Sequence, residues 1–383
     1  MAGEPVRVII NDRCLRNAQT GVGRYVTELL AALPKVDPGI DVLAFYRTYL
    51  ARRSSQDRQV APPSRSGGAP RRMPDGLRRL LQGGYELAFE AVGTLRGCRL
   101  YHEPNHIPGP WNGPVVTTIH DLSVLRHPEW HPADRVRWYK REMVASLPRS
   151  AHFISVSEFT RREMIELLGI QPDRITAIPL GARATFTPRP VEMVRAWLAE
   201  RKWPAEYLLF VGTLEPRKNV PGLLAAFAGL PEAHRRRFPL LIAGAGGWGT
   251  RPLEDEIEAA GLTGQIRTLG YVADEDLCWL YAGARALVWP TFYEGFGLPP
   301  LECMATGTPV ITSDAASLPE VVGDAGLLID AHDAEGLTAA MRRIIEDSKL
   351  AEELAQRGLA RSEAFSWERC AAEHAAIYRR WAE

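Results

Sequence analysis

The chain of 383 residues is longer than one ordinary hydrophobic core supports, so two domains are expected. Apolar residues make up 46% of it and charged residues 24%, as in a soluble globular protein. Lys and Arg together number 46, as do Asp and Glu, so the overall charge gives no reason to expect a nucleic-acid partner.

The cysteines and the apolar runs predict the cellular compartment of the protein. The five cysteines form no CxxC pair and no other ligand-like spacing, which predicts a reduced, cytoplasmic protein without a structural zinc site. The first residues, MAGEPVRVII, lead directly into a strand pattern, so we expect no secretory signal. The sequence has no apolar run near the roughly 18 residues of a membrane span. Any membrane contact is therefore expected to be peripheral, on the inner face.

Short apolar runs alternate with longer helical patterns along the whole chain. The apolar runs are continuous, which is typical of strands buried on both faces of a parallel sheet. In chain order the predicted strands cover residues 6–10, 41–46, 115–119, 152–156, 175–179, 207–212, 238–244, 266–270, 286–290, 309–312 and 326–330. Ser157 and Asn219 are predicted N-caps of the helices that follow them, and Gly169 is predicted to end the helix that Ser157 begins.

Two successive series of strands and helices predict an α/β fold with two Rossmann-like, doubly wound domains that face a central cleft. We place the change from one series to the other near residues 181–190, GARATFTPRP. The N-terminal domain is then predicted to cover residues 1–182 and the next domain to begin at residue 183. Ligands of such sheets bind at the carboxyl ends of the strands, so the cleft is the predicted binding site.

The first candidate site is QTGVGRY, residues 19–25, between the first strand and a helix. Its glycines, Gly21 and Gly23, form a turn that suits an anion at the helix start. The stretch is not GxGxxG, and the chain has no GxxxxGK[ST], so neither a nicotinamide dinucleotide site nor a P-loop is expected.

Residues 51–100 differ from the rest of the chain in composition. They contain ten Arg, no Lys and four acids. Two interpretations stay open: a solvated loop, or a basic surface that contacts an anionic acceptor or a membrane.

Two further stretches of the first half carry polar candidates. His120 and Asp121 come at the end of the strand VVTTI, where a histidine in a parallel sheet is more often functional than structural. The stretch YHEPNHIP adds His102 and Asn105 as candidates for contact with an acceptor.

In the second half, TLEPRKN follows the strand YLLFVG and places Arg217 and Lys218 just before a helix start. A helix N-terminus offers unpaired N–H groups and a partial positive charge. Together with two adjacent cations, this predicts a site for a diphosphate.

The stretch ADEDL contains Asp274 and Asp276 in a DxD pattern, which can hold a metal ion. The pair opens a helical pattern, so helix capping is the favoured interpretation. We expect no metal, because the basic residues and helix ends already supply positive charge.

The stretch FYEGFGLPPLECM follows the strand ALVWP and opens another helix. Glu294 and Glu302 would repel a phosphate, so we expect them to bind hydroxyls of a sugar and of a ribose. Gly295 and Gly297 lie between them and would let the backbone approach the phosphates closely. A nucleotide sugar fits this arrangement.

Over nearly all of its length the chain resembles the retaining glycosyltransferases of family 4, which have the GT-B fold. Glu294 and Glu302 match the family's Glu-x7-Glu signature, GTLEPRKN its phosphate-binding stretch and TGVGRY its N-terminal glycine loop. The stretches IHD, VSEFTRREM, GYVADEDL and LPEVVGDAGLLID stand in the family order.

The resemblance implies roles for individual residues. Arg217 and Lys218 would bind the diphosphate, Glu294 the donor sugar, Glu302 the nucleotide ribose, and His120 the donor sugar and acceptor. The other implied contacts are with the donor at Gly21, Gly23, Thr213, Tyr271, Val272, Phe296, Gly297 and Leu298, and with the acceptor at Asn105 and Asp121.

The resemblance also has departures and implies a domain boundary. Some relatives carry Arg where this chain has Thr213, and Asn where it has Leu180. The C-terminal domain would cover residues 183–365, and residues 366–383 resemble a closing helix that returns to the first domain.

The implied activity is that of a retaining hexosyltransferase without a cofactor. The motifs are most similar to bacterial mannosyltransferases of surface-polysaccharide assembly, which implies GDP-mannose as donor and a saccharide or lipid-linked saccharide as acceptor. The alternatives are a UDP-sugar donor, an epimerase or phosphorylase of the same fold, and a non-catalytic subunit that binds a nucleotide sugar.

Overall fold

The protein is described by a computed structural model that covers residues 4–17, 21–50, 75–247 and 252–382. In these ranges the strands are β1 Val6–Ile10, β2 Ile40–Ala44, β3 Leu100–Glu103, β4 Val115–Ile119, β5 His152–Ser155, β6 Ile175–Ala177, β7 Leu208–Val211, β8 Leu240–Ala243, β9 Ile266–Gly270, β10 Ala286–Trp289, β11 Val310–Ser313 and β12 Leu327–Ile329.

The α-helices of the same ranges are numbered in chain order. They are α1 Gly21–Val36, α2 Asp75–Leu95, α3 Ser123–Arg126, α4 Ala133–Ser146, α5 Glu158–Leu168, α6 Val191–Glu200, α7 Val220–Ala228, α8 Glu232–Arg237, α9 Leu253–Ala259, α10 Asp274–Gly283, α11 Leu298–Ala305, α12 Leu318–Val322, α13 Ala334–Glu346, α14 Ser348–Ser362 and α15 Trp367–Ala382.

The strands of the described ranges form two parallel six-stranded sheets. Their orders are β2-β1-β3-β4-β5-β6 and β12-β11-β10-β7-β8-β9, which confirms the predicted pair of doubly wound domains. The direction of winding reverses between β1 and β3 in the first sheet and between β7 and β10 in the second. A crevice opens at the carboxyl ends of the strands at such a reversal, and ligands of these folds bind there.

The cap predictions near the cleft are confirmed by the structure. The Ser157 side chain accepts a hydrogen bond from the Thr160 amide, and Gly169 ends α5 in the left-handed conformation, at φ 64°. The Asn219 side chain accepts from the Gly222 amide at the start of α7. Each cap satisfies a backbone group that the helix end would otherwise leave unpaired.

One central strand was not predicted. β3, LYHE, is only four residues long and contains two polar residues, His102 and Glu103. Both are buried because they have hydrogen-bond partners: His102 Nε2 lies 2.8 Å from Thr118 Oγ1, and the Tyr101 hydroxyl donates to Glu103 at 2.5 Å. Apolar patterning cannot reveal a strand whose polar side chains are satisfied in this way.

Much of the described part of the arginine-rich segment is a helix, so the loop interpretation is wrong for residues 75–95. Phe89 packs against Phe45 and Tyr101 at centroid distances of 5.2 and 4.8 Å, which anchors α2 on the first sheet. Residues 51–74, which carry most of the basic charge, lie outside the described residues. Among the helices of the described part, none is both long and apolar enough to cross a membrane.

The C-terminal helix α15 packs on α1, β1 and β3 of the first domain. His374 is central to this contact: its Nδ1–H donates to the Cys370 carbonyl at 2.7 Å, and its Nε2 accepts from the Tyr25 hydroxyl at 2.7 Å. The Tyr378 hydroxyl bonds His102 Nδ1 at 2.7 Å. The last helix of the chain therefore returns to the first domain through a buried polar network.

We predict that His374 makes folding sensitive to acid. Burial lowers the pKa of His374 to about 4, whereas the unfolded value is about 6.5. The stability that the neutral ring contributes is therefore complete above pH 6.5 and is lost as the pH falls towards 4. As the pH falls through this window, the free energy of unfolding of His374→Gln should decrease less steeply than that of the wild type. The two slopes should differ by up to about 1.4 kcal/mol per pH unit.

Urea denaturation at several pH values between 7 and 4.5 measures this difference. The exposed His332, replaced by Gln, is the matched control, and its profile should follow the wild type. A His374→Gln profile parallel to that of the wild type would contradict the prediction.

Candidate active site

Two adjacent strand ends of the second sheet bring opposite charges together. Arg217 and Lys218 end a short turn after β7, and Glu294 follows the neighbouring strand β10. Lys218 Nζ lies 2.5 Å from Glu294 Oε1, and Arg217 Nη1 lies 2.7 Å from Glu294 Oε2. Arg217 Nε also donates to Glu215 at 3.0 Å. The two cations and two acids balance each other, so a diphosphate arriving here would compete with Glu294.

The pKa values of the two cations shift in opposite directions. The pKa of Lys218 is lowered by burial and by the neighbouring Arg217, with Glu294 opposing both. Burial also acts to lower the pKa of Arg217, but Glu294, Asp121 and Glu215 outweigh it and raise that pKa. Lys218 further lies 4.5 Å from the centre of the Trp289 ring.

The turn that carries the cations is held by Asn219. This residue adopts the left-handed conformation, at φ 55°, which asparagine tolerates better than most residues. Its Nδ2 donates to the carbonyls of Pro290, at 3.0 Å, and Ala331, at 2.7 Å. The loops after β7 and β10 are thereby joined, which fixes Arg217 and Lys218 beside Glu294.

The glycine loop after β10 is pressed against the first domain. A Cβ on Gly295 would lie 1.8 Å from the His120 carbonyl oxygen, so no larger residue fits without separating the two domains. Ser157 of the first domain donates to the Gly295 carbonyl at 2.7 Å. Ser317 donates to the carbonyls of Glu294 and Phe296, at 2.9 and 2.7 Å. The loop is thus held from both domains.

The carbonyl of His120 contacts this loop, and its ring is neutral. Its Nε2 lies 2.8 Å from the Pro104 carbonyl, which can only accept, so Nε2 carries the proton and Nδ1 the lone pair. Burial lowers the pKa of His120, with smaller opposing effects of Pro104 and Asp121. Tyr25 packs its ring against His120 at a centroid distance of 4.9 Å. His120 can therefore act as a hydrogen-bond acceptor at neutral pH.

The two predicted acceptor contacts differ in their surroundings. Asp121 accepts from the amide and hydroxyl of Ser123, at 3.0 and 2.7 Å. Burial would raise the pKa of Asp121, but Arg217, His106 and the Ser123 hydrogen bonds lower it to about 2. Asp121 is thus an anion that faces Arg217, whereas Asn105 is exposed.

The second glutamate lies in another group of charges. Glu302 is 2% exposed in α11 and is contacted by Arg24 Nη1 at 3.2 Å and Arg183 Nη2 at 3.7 Å. Burial raises the pKa of Glu302, and the two arginines oppose that rise. The same arginines pair with Asp274, at 2.5 and 2.7 Å. We call Arg24, Arg183, Asp274 and Glu302 the four-charge cluster.

The four-charge cluster corrects the interpretation of Asp274 and adds Arg24 and Arg183 to the candidate site. The N-cap of α10 is Ala273, without a side-chain hydrogen bond, so helix capping is the wrong explanation of Asp274. Asp274 instead pairs with Arg24 and Arg183, neither of which was among the predicted site residues. Arg24 directly follows the glycines of TGVGRY, which is the signal that could have drawn attention to it.

The other predicted donor contacts lie around these two groups of charges. Gly23 is buried in the first turn of α1, and Phe296 is buried in the loop after β10. Gly21 and Thr213 are exposed, Val272 is half-buried, and Tyr271 is 43% exposed. Gly297 is the N-cap of α11, at φ 117°, and Leu298 is its first residue. The roles of these residues stay predictions.

In the described ranges, no group of three or more His, Cys, Asp or Glu residues could hold a metal ion. The expectation that no metal is needed stays a prediction.

Comparison with known proteins identifies the family. A model of Glycosyltransferase Family 4 matches residues 19–185, and one of Glycosyl transferases group 1 matches residues 199–361. O-antigen chain mannosyltransferase B of Escherichia coli is 38% identical, and the alignment covers 98% of this chain and 100% of that protein. The chain belongs to the family 4 glycosyltransferases.

Solved structures share the fold of this glycosyltransferase. Sucrose-phosphate synthase from Thermosynechococcus elongatus superposes with a TM-score of 0.74 at 23% identity, covering 98% of each chain. Anabaena HepE, in a complex with UDP and glucose, superposes with a TM-score of 0.71 at 17% identity, covering 98% of this chain and 100% of that one. The predicted GT-B architecture is confirmed.

We predict that Gly295→Ala lowers transfer activity about 100-fold, because an added methyl group would push the Glu294 loop off His120 by an ångström or more. The clash lies between domains, so each domain should keep its fold. Gly84→Ala, on α2, is the matched control, since a Cβ there meets nothing within 4 Å. Turnover together with circular dichroism measures both effects, and full activity of Gly295→Ala would show that this contact is not needed.

Proposed function

We propose that this glycosyltransferase transfers mannose from GDP-mannose to a saccharide or lipid-linked saccharide acceptor, with retention of the anomeric configuration. The observation that carries the proposal is the 38% identity, over 98% of the chain, with an O-antigen chain mannosyltransferase. The charges at the ends of β7 and β10 support it, because they suit a sugar linked to a diphosphate.

The diphosphate of the donor would replace Glu294 as the partner of Arg217 and Lys218. As the diphosphate pairs with Arg217 and Lys218, the Glu294 carboxylate loses partners and its lone pairs can accept hydrogen bonds from sugar hydroxyls. One acid thus balances the cations before the donor binds and orients the sugar afterwards. Glu302, at the nucleotide side of the glycine loop, would accept the ribose hydroxyls, with Tyr271 and Val272 beside the base.

Retention would need no enzyme nucleophile. The bond from the anomeric carbon to the diphosphate oxygen breaks while the acceptor oxygen bonds that carbon on the same face. The departing phosphate oxygen takes the proton of the acceptor hydroxyl. Arg217 and Lys218 would stabilise the negative charge that grows on the diphosphate, and neutral His120 would position the donor sugar and the acceptor. These cations would supply the charge of a metal, so we expect activity without one.

The compartment is part of the proposal. The five cysteines are all free, which supports a reduced, cytoplasmic setting. A lipid-linked acceptor would bring the protein to the inner face of the membrane, where the arginine-rich segment would provide peripheral contact.

A UDP-sugar is the second candidate donor. Anabaena HepE, which shares the fold, is known in a complex with UDP and glucose. The base and the sugar are therefore the parts of the donor that an experiment must decide.

A panel of GDP- and UDP-sugars with a mannosylated acceptor tests the function. We expect nucleotide release with GDP-mannose, unchanged by EDTA, and a product whose new linkage has the anomeric configuration of the donor. Nuclear magnetic resonance of the product reports that configuration. An inverted linkage, or a sugar trapped on Glu294, would contradict the mechanism. Turnover of a UDP-sugar but not of GDP-mannose would show that the donor is a UDP-sugar.

We further predict that Arg217→Ala and Lys218→Ala each lower kcat/KM by the equivalent of about 2–4 kcal/mol, because each removes a cation from the diphosphate. Arg237→Ala, which removes an exposed arginine paired with Glu206, should leave kcat/KM unchanged. Steady-state kinetics with the active donor and thermal unfolding separate catalysis from folding. Values of kcat/KM near that of the wild type would rule out the diphosphate role.

A further inference from the structure

The four-charge cluster joins the two domains. Arg24 lies on α1 of the first domain, and Asp274 and Glu302 lie on α10 and α11 of the second. Arg24 contacts both acids, at 2.5 Å through Nη2 and at 3.2 Å through Nη1. One guanidinium of the first domain therefore holds two carboxylates of the second.

Burial makes these contacts necessary. The Glu302 side chain is 2% exposed, and an ionised carboxylate so far from water is stable only with partners of opposite charge. Its other partners are weaker, since Arg183 lies 3.7 Å away and the Tyr281 hydroxyl 3.4 Å away. Arg24 is thus the nearest cation to Glu302, whereas Asp274 also has Arg183 at 2.7 Å.

The cluster keeps capacity for a ligand. A carboxylate has about four lone-pair sites, and Arg24, Arg183 and Tyr281 do not use all those of Glu302. In the described part of the chain, the buried Nε atoms of Arg24 and Arg183 have no hydrogen-bond partner. The unused acceptor sites of Glu302 suit the vicinal hydroxyls of a ribose, which can donate to them.

We propose that Arg24 is a positioning residue for the donor: it reaches across from the first domain and holds Glu302 in the ionised, oriented form that accepts the hydroxyls of the donor nucleoside. This inference rests on the proposed function. It makes nucleotide recognition by the second domain depend on a side chain of the first.

The experiment measures binding of GDP and UDP by calorimetry to the full chain and to three variants. Arg24→Met removes the charge and keeps the bulk, Arg24→Lys keeps the charge, and Arg201→Met is the matched control. Arg201 pairs at 3.4 Å with Asp276, which lies on α10 as Asp274 does. We expect Arg24→Met to raise the Kd of the nucleotide roughly 10-fold to 100-fold, Arg24→Lys to recover part of the loss, and Arg201→Met to match the wild type.

A pH series distinguishes this role from a structural one. Glu302 faces Arg24 on α1, Arg183, and Asp274 and Tyr281 on α10, while Glu28 and Tyr271 lie near the arginines. Burial raises the pKa of Glu302 and Arg24 opposes that rise, so the loss of Arg24 should move the acid limb of nucleotide binding to higher pH. In turnover assays the donor KM should rise more than kcat falls.

The double variant Arg24→Met/Glu302→Gln tests whether Arg24 acts through Glu302. If it does, adding Arg24→Met to Glu302→Gln raises the Kd less than twofold. Additive losses, or an unchanged Kd and acid limb in Arg24→Met, would overturn the inference while leaving the proposed function intact. Absence of nucleotide binding and of turnover in the wild type would overturn both.

Discussion

The contact of Glu294 with Arg217 and Lys218 is the interaction on which the rest of the site depends. Two cations this close would repel each other, and Glu294 supplies each of them with a carboxylate oxygen. The contact is made because β7 and β10 are neighbours, although β8 and β9 separate them in the chain. The doubly wound order therefore creates the site, since it brings the ends of two distant strands to one edge.

That contact also explains why charge and sugar recognition are joined in the proposed reaction. In that reaction a diphosphate would bind the cations by displacing Glu294, and the displaced carboxylate would then be free to accept hydroxyls of the attached sugar. Occupation of the phosphate site and orientation of the sugar then become one event. A site with unpaired cations would bind many anions equally well, whereas the proposed one would favour an anion that also brings hydroxyls for Glu294.

The sequence allowed the prediction of features that depend on neighbours along the chain. The N-caps Ser157 and Asn219, the parallel strands and the turn carrying Arg217 and Lys218 follow from local patterns, and the structure confirms them. The partners of the acids could not be predicted in the same way. Arg24 precedes Glu302 by 278 residues, and their contact depends on how closely the two domains approach each other.

The domain interface is therefore part of the site. Gly295 admits the His120 carbonyl because it has no side chain, and the Tyr293 hydroxyl accepts from the Leu122 amide and donates to Glu163 of the first domain. These contacts press the loop that carries Glu294 against the first domain. An opening of the cleft that separated them would move Glu294 and His120 apart. The proposed chemistry thus requires these contacts between the domains, and residues of both domains make them.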